Sequence, residues 1–206
     1  MNKKRTPDLN PRHKGQLQRK ALEASDPVAT LNRIQNEIGE WSFQNFGEQI
    51  SKHTGWTMGA TNPLLGLFEE IGEWFTSRTE ADQIDAIADI MIYMCDFANR
   101  DECNLATALA MHRTTDDDPT QMVMDGMRGL AHCHLKRHQG IRGFDHNEKY
   151  VVVRNAALNS IVRGLELYCK ANLPKVSPLT CLERVWVEVK ARDWKKNPTD
   201  ANEVAG

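Results

Sequence analysis

The sequence predicts an all-α protein that folds as a helical bundle, because apolar side chains recur along it with the period of a helix. One such stripe lies near the start of the chain, and a second lies before its middle. Their members are Ile34, Ile38, Trp41 and Phe46, and then Ile84, Ile87, Met91 and Met94. The apolar fraction of 40% and the charged fraction of 26% over 206 residues are typical of a globular chain.

The first predicted helix begins near Asp26 and Pro27, because an aspartate followed by a proline is a common helix start. Asp116–Pro119 is the clearest linker in the sequence. Before it we predict a loop over 55–63, a turn over 77–81 and helices over about 64–76, 82–100 and 105–114. After it we predict helices over about 120–137, 148–171 and 179–194.

These elements divide the chain into five segments. They are a flexible basic arm over 1–25, a helical half over 26–114, a linker over 115–120, a second helical half over 121–196 and a disordered tail over 197–206. The arm contains no apolar stretch of the kind that a secretory signal needs, so we do not expect it to be one.

The second half has the pattern of a diverged copy of the first, an internal tandem duplication. Aligning the two halves turns two aspartates into asparagines and two glutamates into glycines. The aligned pairs are Asp85 with Asn155, Asp89 with Asn159, Glu70 with Gly126 and Glu73 with Gly129. On this interpretation the second half has lost its carboxylates. The alternative is that two helical stretches align this well by chance.

Composition disfavours several classes of protein. A net charge of −2 gives no reason to expect a nucleic-acid partner. No apolar run approaches the roughly 20 residues that a membrane span needs. The five cysteines are an odd number without CxxC spacing, which argues against a disulfide framework and a zinc ribbon. We therefore expect a cytoplasmic protein, in the host cytoplasm if a phage encodes it.

Two acidic clusters on neighbouring predicted helices are the strongest functional signal. They are Glu69-Glu70-Ile71-Gly72-Glu73 and Asp85-Ala86-Ile87-Ala88-Asp89, in a stretch (69–102) with ten acidic and two basic residues. Carboxylates at i and i+4 share one side of a helix, so a helix hairpin can bring both clusters together. Their oxygen ligands suit Mg²⁺ or Mn²⁺. The alternative is a solvated acidic face, although the basic i+4 partners of such a face are mostly missing.

Residues 64–73, with the EExxE string, resemble the motif of MazG-like all-α nucleoside triphosphate pyrophosphohydrolases of the phage and bacterial type. Residues 85–93 look like the second acidic helix of that family, and 37–47 and 185–194 are similar to its first and last helices. The resemblance covers 28–113 strongly and 120–198 more weakly. The family usually shows ExxD on the second acidic helix, and Ala86 occupies the expected glutamate position here. Asp85 lies one residue earlier, at i−4 from Asp89.

The resemblance implies hydrolysis of a (deoxy)nucleoside triphosphate to the monophosphate and pyrophosphate, for control or cleaning of the nucleotide pool. In this chain Glu69, Glu73 and Asp89 would be direct ligands of two or more Mg²⁺ or Mn²⁺ ions. Asp85 would be a direct or water-mediated ligand, and Glu70 would orient or deprotonate the attacking water. We also expect a homo-oligomer, either a dimer or a dimer of dimers.

The triphosphate also needs cations, and the first half supplies few. The candidates are Lys136, Arg137 and Arg142, with Lys195 and Lys196 as weaker ones, in this subunit or another. A solvated basic turn is the alternative for the first three. Trp41 and Asn45, with Phe46, are candidates for the base pocket, although an aromatic residue on a helix is more often part of the core.

Two rival functions stay open. His132, His134 and His138 could suggest zinc, but residues at i and i+2 do not share a helix face. A non-catalytic helical scaffold that binds a partner, descended from the enzyme, is the main rival. Metal-dependent release of pyrophosphate distinguishes the scaffold from the enzyme.

Overall fold

Seven α-helices and no strand make up the part of the chain that the computed structural model describes, residues 26–48, 59–110, 118–141, 144 and 148–196. The predicted all-α class is confirmed. In chain order the helices are α1 (Pro27–Phe46), α2 (Thr61–Thr76), α3 (Glu80–Arg100), α4 (Leu105–Leu109), α5 (Pro119–His138), α6 (Glu148–Asn172) and α7 (Pro178–Val189). The predicted arm, the first half of the linker and the tail lie outside the described residues.

The helix starts follow from capping side chains in the sequence. Asp26 accepts a hydrogen bond from the amide of Val28 at 3.0 Å, and a proline occupies the first turn of α1. Asp118 caps α5 in the same way, again followed by a proline. Such caps satisfy amides that have no partner within the helix. The start of α1 near Asp26 and Pro27 agrees with its prediction, whereas Asp118 and Pro119, predicted as part of the linker, cap and begin α5.

Three helix boundaries differ from their predicted positions by three residues or more, and α4 is one of them, since it ends at Leu109 rather than near residue 114. α2 begins at Thr61 rather than Leu64, since Pro63 is tolerated in a first turn, where its missing N–H has no intrahelical role. α7 ends at Val189 rather than Trp194. Trp194 lies beyond the helix, and its backbone amide donates to Asn45 Oδ1 on α1 at 2.9 Å. This contact joins two segments that are far apart in the sequence.

Helix α3 is the centre of the fold, with α1, α2 and α7 packed around it. It is apolar on most of its circumference, as expected of a helix buried on several sides. Side chains such as Ile87, Ile90, Met94 and Phe97 are fully buried. The core continues into the second half of the chain, so α1–α7 share one main hydrophobic cluster.

Helices α5 and α6 form the most extensive helix pair, and glycines permit their close approach. A Cβ atom at Gly126 would lie 2.6 Å from Ile161 Cγ1, and one at Gly129 would lie 3.0 Å from Ala157 Cβ. The two positions aligned with lost glutamates are therefore packing positions. Asn159, aligned with Asp89, donates to the carbonyl oxygen of Leu109 at 3.0 Å. The duplication itself stays a prediction.

A buried charge network joins this helix pair to the end of α3. The carboxylate of Asp101 pairs with Arg137 and with Arg154, each at 2.7 Å, and accepts a hydrogen bond from the Tyr150 hydroxyl at 2.9 Å. The Asp101 side chain is only 4% exposed. The contact gives Arg137 a structural partner that the sequence did not indicate.

Helix α7, the last in the chain, packs against α3 and α1. The Trp186 side chain is buried, and its indole Nε1–H donates to Glu37 on α1 at 2.9 Å. None of the helices in the described segments combines the length and the apolar character that crossing a bilayer requires.

Candidate metal centre

The centre lies between α2 and α3, which form a hairpin because only residues 77–79 separate them. Gly66 on α2 touches the ring of Tyr93 on α3, and a Cβ atom at Gly66 would overlap that ring. The missing side chain therefore lets the two helices approach closely. This crossing lies one turn away from Glu70 on α2 and from Asp89 on α3.

The structure brings the two acidic clusters together. Glu69, Glu70 and Glu73 project from α2, and Asp85 and Asp89 project from α3. Each of the other four carboxylates raises the pKa of Glu70. Their charges therefore act on one another across the helix pair, which is the arrangement that the i and i+4 spacing indicates.

Glu70 is half-buried, and this burial is the largest cause of its raised pKa, about 8. The next largest cause is the charge of Asp89, followed by the other three carboxylates. A carboxyl group with this pKa holds its proton at neutral pH, unlike an ordinary glutamate. A cation between the helices would reverse this by favouring the charged form.

Asp89 is also half-buried, and burial is again the main reason that its pKa rises to about 6. The charge of Asp85 raises it further, while Arg192 opposes the increase. One helical turn on, burial and the nearby carboxylates raise the pKa of Tyr93 to about 12. All three side chains therefore experience an excess of negative charge.

These carboxylates lack the partners that other packed acidic side chains have. None of the five makes a hydrogen bond or ion pair with another described residue. By contrast, Asp96 pairs with Arg100 at 3.0 Å, and Asp101 pairs with two arginines. Asp96 and Asp101 are thus neutralised by direct ion pairs, whereas none of the five carboxylates at the centre has such a pair among the described residues.

The side chains are not arranged as a finished coordination shell. Within the described segments, no three His, Cys, Asp or Glu residues are close enough to hold one metal ion together. Glu69, Glu73 and Asp85 are exposed, so rotation about their side-chain bonds can bring their oxygens inward. The donor set consists of carboxylates alone, which fits a hard cation such as Mg²⁺ or Mn²⁺.

The register of α3 decides which of two neighbouring residues, Asp85 or Ala86, can face α2. Ala86 is 4% exposed and belongs to the core. Asp85 is exposed, and its charge raises the pKa of both Asp89 and Glu70. Asp85 is therefore the residue that presents a carboxylate to α2.

Arg192 is a residue of the site that the sequence did not indicate. It follows α7, and its charge lowers the pKa of Asp89. Trp41 Nε1–H donates to the carbonyl oxygen of Arg192 at 3.1 Å, and Asn45 binds the amide of Trp194. These two α1 residues hold the segment that carries Arg192. No local sequence pattern indicates Arg192, because only the fold brings its segment close to Asp89.

The basic side chains predicted to bind phosphate either have a partner in the protein already or do not act on the carboxylates of the centre. Arg137 pairs with Asp101, and Lys136 Nζ lies 3.3 Å from Gln139 Oε1. Neither affects the pKa of Glu70 or Asp89. Lys195 is exposed just beyond Arg192. Arg142 lies outside the described residues.

An open cleft of about 550 Å³ adjoins the centre between the start of α3 and α7. Asp85 belongs both to this cleft and to the carboxylate group. Arg184 on α7 lines the cleft from the opposite side. The cleft thus offers space beside the acidic centre, and its lining carries one arginine and four carboxylates.

Comparison of the chain with protein-family models, with curated proteins and with solved structures finds no match. The fold and the centre define an all-α protein with a carboxylate-rich helix hairpin.

Proposed function

We propose that the protein is a metal-dependent nucleoside triphosphate pyrophosphohydrolase. The observation that carries this proposal is the group of five neighbouring carboxylates, none of which forms an ion pair with another residue in the described part of the chain. The resemblance of residues 64–73 and 85–93 to MazG-like enzymes supplies the reaction class. Like charges held together at a cost to stability are typical of functional sites.

Glu69, Glu73 and Asp89 are the proposed direct ligands, and Asp85 completes the set directly or through water. Bound Mg²⁺ or Mn²⁺ would neutralise phosphate oxygens and acidify a water molecule. Glu70 is the proposed base, because it is more buried than its exposed neighbours Glu69 and Glu73 and lies beside the ligand group. Bound metal ions would return Glu70 to its charged form, in which it can accept a proton from the attacking water.

Arg192 is the proposed cation for the triphosphate, since its charge already acts on Asp89. Trp41 and Asn45 keep their proposed place at the substrate, with the added role of holding the Arg192 segment. Lys195 stands as a further candidate. Lys136 and Arg142 stay candidates for contacts with the triphosphate bound to another subunit of an oligomer. Arg137 already forms an ion pair with Asp101.

The decisive experiment incubates the protein with a panel of nucleoside triphosphates and Mg²⁺ or Mn²⁺ and follows the products by ³¹P NMR. We expect monophosphate and pyrophosphate, with no turnover in EDTA. Orthophosphate and diphosphate as first products would contradict cleavage between the α- and β-phosphates.

A non-catalytic helical scaffold is the second candidate. It is favoured by the finding that no three metal-ligating side chains already converge in the described residues. A scaffold would release no pyrophosphate from any triphosphate, with either metal ion. Metal-dependent pyrophosphate release in the same assay would therefore exclude it.

A further inference from the structure

Two imidazoles and a hydroxyl group converge where α2 begins and α5 ends, away from the carboxylates. His134 Nε2 and His138 Nε2 are 3.0 Å apart. Thr61 Oγ1 lies 3.0 Å from the first nitrogen and 3.4 Å from the second. Three potential ligand atoms therefore form a small triangle between the two halves of the chain.

Helical spacing explains why these two histidines meet and why a third does not. His134 and His138 are at i and i+4, so they share one face of α5. His132, two residues earlier, packs its ring edge-on against Phe144, with the ring centroids 5.7 Å apart. The i and i+4 pair, rather than the i and i+2 pair, is the one that matters for a metal ion.

Hydrogen bonds alone do not satisfy the triangle. An imidazole nitrogen has one in-plane direction, which carries either a proton or a lone pair. Each Nε2 in this group faces two partners at once, so at least one of the three contacts lacks a well-directed hydrogen. A cation at the centre would accept a lone pair from all three atoms.

The dimensions fit an ion of the zinc class. Two ligands bonded to tetrahedral Zn²⁺ at about 2.0–2.1 Å lie about 3.3 Å apart, close to the three edges here. Imidazole nitrogens select Zn²⁺, Co²⁺ or Ni²⁺ rather than Mg²⁺. His138 is exposed and gives the ion a route from solvent, with room for water as a further ligand.

The surroundings act on a positive charge in opposite directions. Burial and the charge of His138 disfavour a positive charge on His134, Asp101 favours it, and Arg137, which is paired with Asp101 at 2.7 Å, opposes it. His138 is the last residue of α5, where the negative end of the helix dipole favours a cation.

We propose that Thr61, His134 and His138 bind one transition-metal ion of the Zn²⁺ class, which fastens the start of α2 to the end of α5. The ion would be a second site, distinct in ligand chemistry from the carboxylate centre. Its affinity would be modest, because a neutral hydroxyl is a weaker ligand than a thiolate or a third imidazole.

The test titrates Zn²⁺ into ¹⁵N-histidine-labelled full-length protein held in excess Mg²⁺. Long-range ¹H–¹⁵N spectra should show Nε2 of His134 and His138 shifting with one equivalent of Zn²⁺, while the ring of His132 stays unchanged. Unchanged His134 and His138 signals, or shifts of all three rings alike, would overturn the proposal.

Variants supply an independent measure by calorimetry. His138→Gln, at an exposed position, should weaken Zn²⁺ binding by roughly tenfold or more, and Thr61→Val should weaken it less. His132→Gln is the matched control on the same helix and should bind as the parent does. Equal Zn²⁺ affinity in His138→Gln and the parent would refute the site.

Discussion

Glu73 is the carboxylate whose replacement tests the candidate metal centre most directly. Glu73→Gln removes one anionic ligand, so we expect turnover to be lost and the affinity for Mn²⁺ to fall. The metal-free protein should unfold at the same temperature or a higher one, because the change also removes like-charge repulsion. Assays of pyrophosphate release and thermal unfolding in EDTA measure both effects.

The control for this variant is Glu102→Gln, which changes an exposed acid that does not affect the pKa of Glu70 or Asp89. It should keep both activity and metal affinity. Wild-type turnover in Glu73→Gln would show that the ligand assignment is wrong.

Glu70 makes the stability of the metal-free protein depend on pH. Its pKa of about 8 in the folded chain lies above its ordinary value of 4.5. The folded state therefore holds a proton that the unfolded state has already released, so stability falls as pH rises from about 4.5 and levels off above about 8. We expect the unfolding temperature in EDTA to decrease between about pH 6.5 and 8.

Glu70→Gln should flatten this decrease, because glutamine does not titrate. Saturating Mn²⁺ should reverse the trend in the parent, since metal ions compete with protons for carboxylates. His134 has little effect above pH 6.5, because burial lowers its pKa in the folded chain to about 4 and its ordinary value is 6.5. A metal-free stability that rises with pH would contradict the placement of Glu70.

At the scale of the elements, we expect the close crossing of α2 and α3 to determine how near the carboxylates of the two helices lie to one another. Gly66→Ala places a methyl group against the ring of Tyr93, so the helices must separate or the ring must move. We expect a loss of about 1–3 kcal/mol in the free energy of unfolding. Metal affinity should fall as well, because the carboxylates of the two helices move apart.

Gly72→Ala provides the matched control on the same helix, since nothing lies within 4 Å of the added Cβ atom. It should stabilise the protein by about 0.5–1 kcal/mol through helix propensity and leave metal binding intact. Urea unfolding and metal titration of the pair separate crossing geometry from propensity. Similar results for both variants would contradict a special role for Gly66.

At the scale of the whole molecule, Asp101 joins the α5–α6 pair to the rest of the fold. Asp101→Asn leaves Arg154, which is buried, without its charge partner. Removing one member of a buried ion pair costs about 3–5 kcal/mol. Chemical denaturation should show this loss. Asp125→Asn breaks an exposed pair with Arg128 and should cost at most about 1 kcal/mol.

The sequence predicts the local features of this protein well. The start of α1 follows from the cap at Asp26, and the nearness of the two acidic clusters follows from i and i+4 spacing on a hairpin. Contacts between distant segments were missed. The pairing of Arg137 with Asp101, and the approach of Arg192 to Asp89, depend on how α5 and α7 dock, which no local pattern encodes.

The docking of α7 against α3 has a consequence for the order of folding. The α5–α6 hairpin needs only local loop closure, whereas α3 must meet α7 across the intervening helices. Contacts with large sequence separation form slowly. In pulsed hydrogen exchange we expect amides of α5 and α6 to gain protection before those of α7. The acidic hairpin would then acquire its Arg192 neighbour only in the last step of self-assembly.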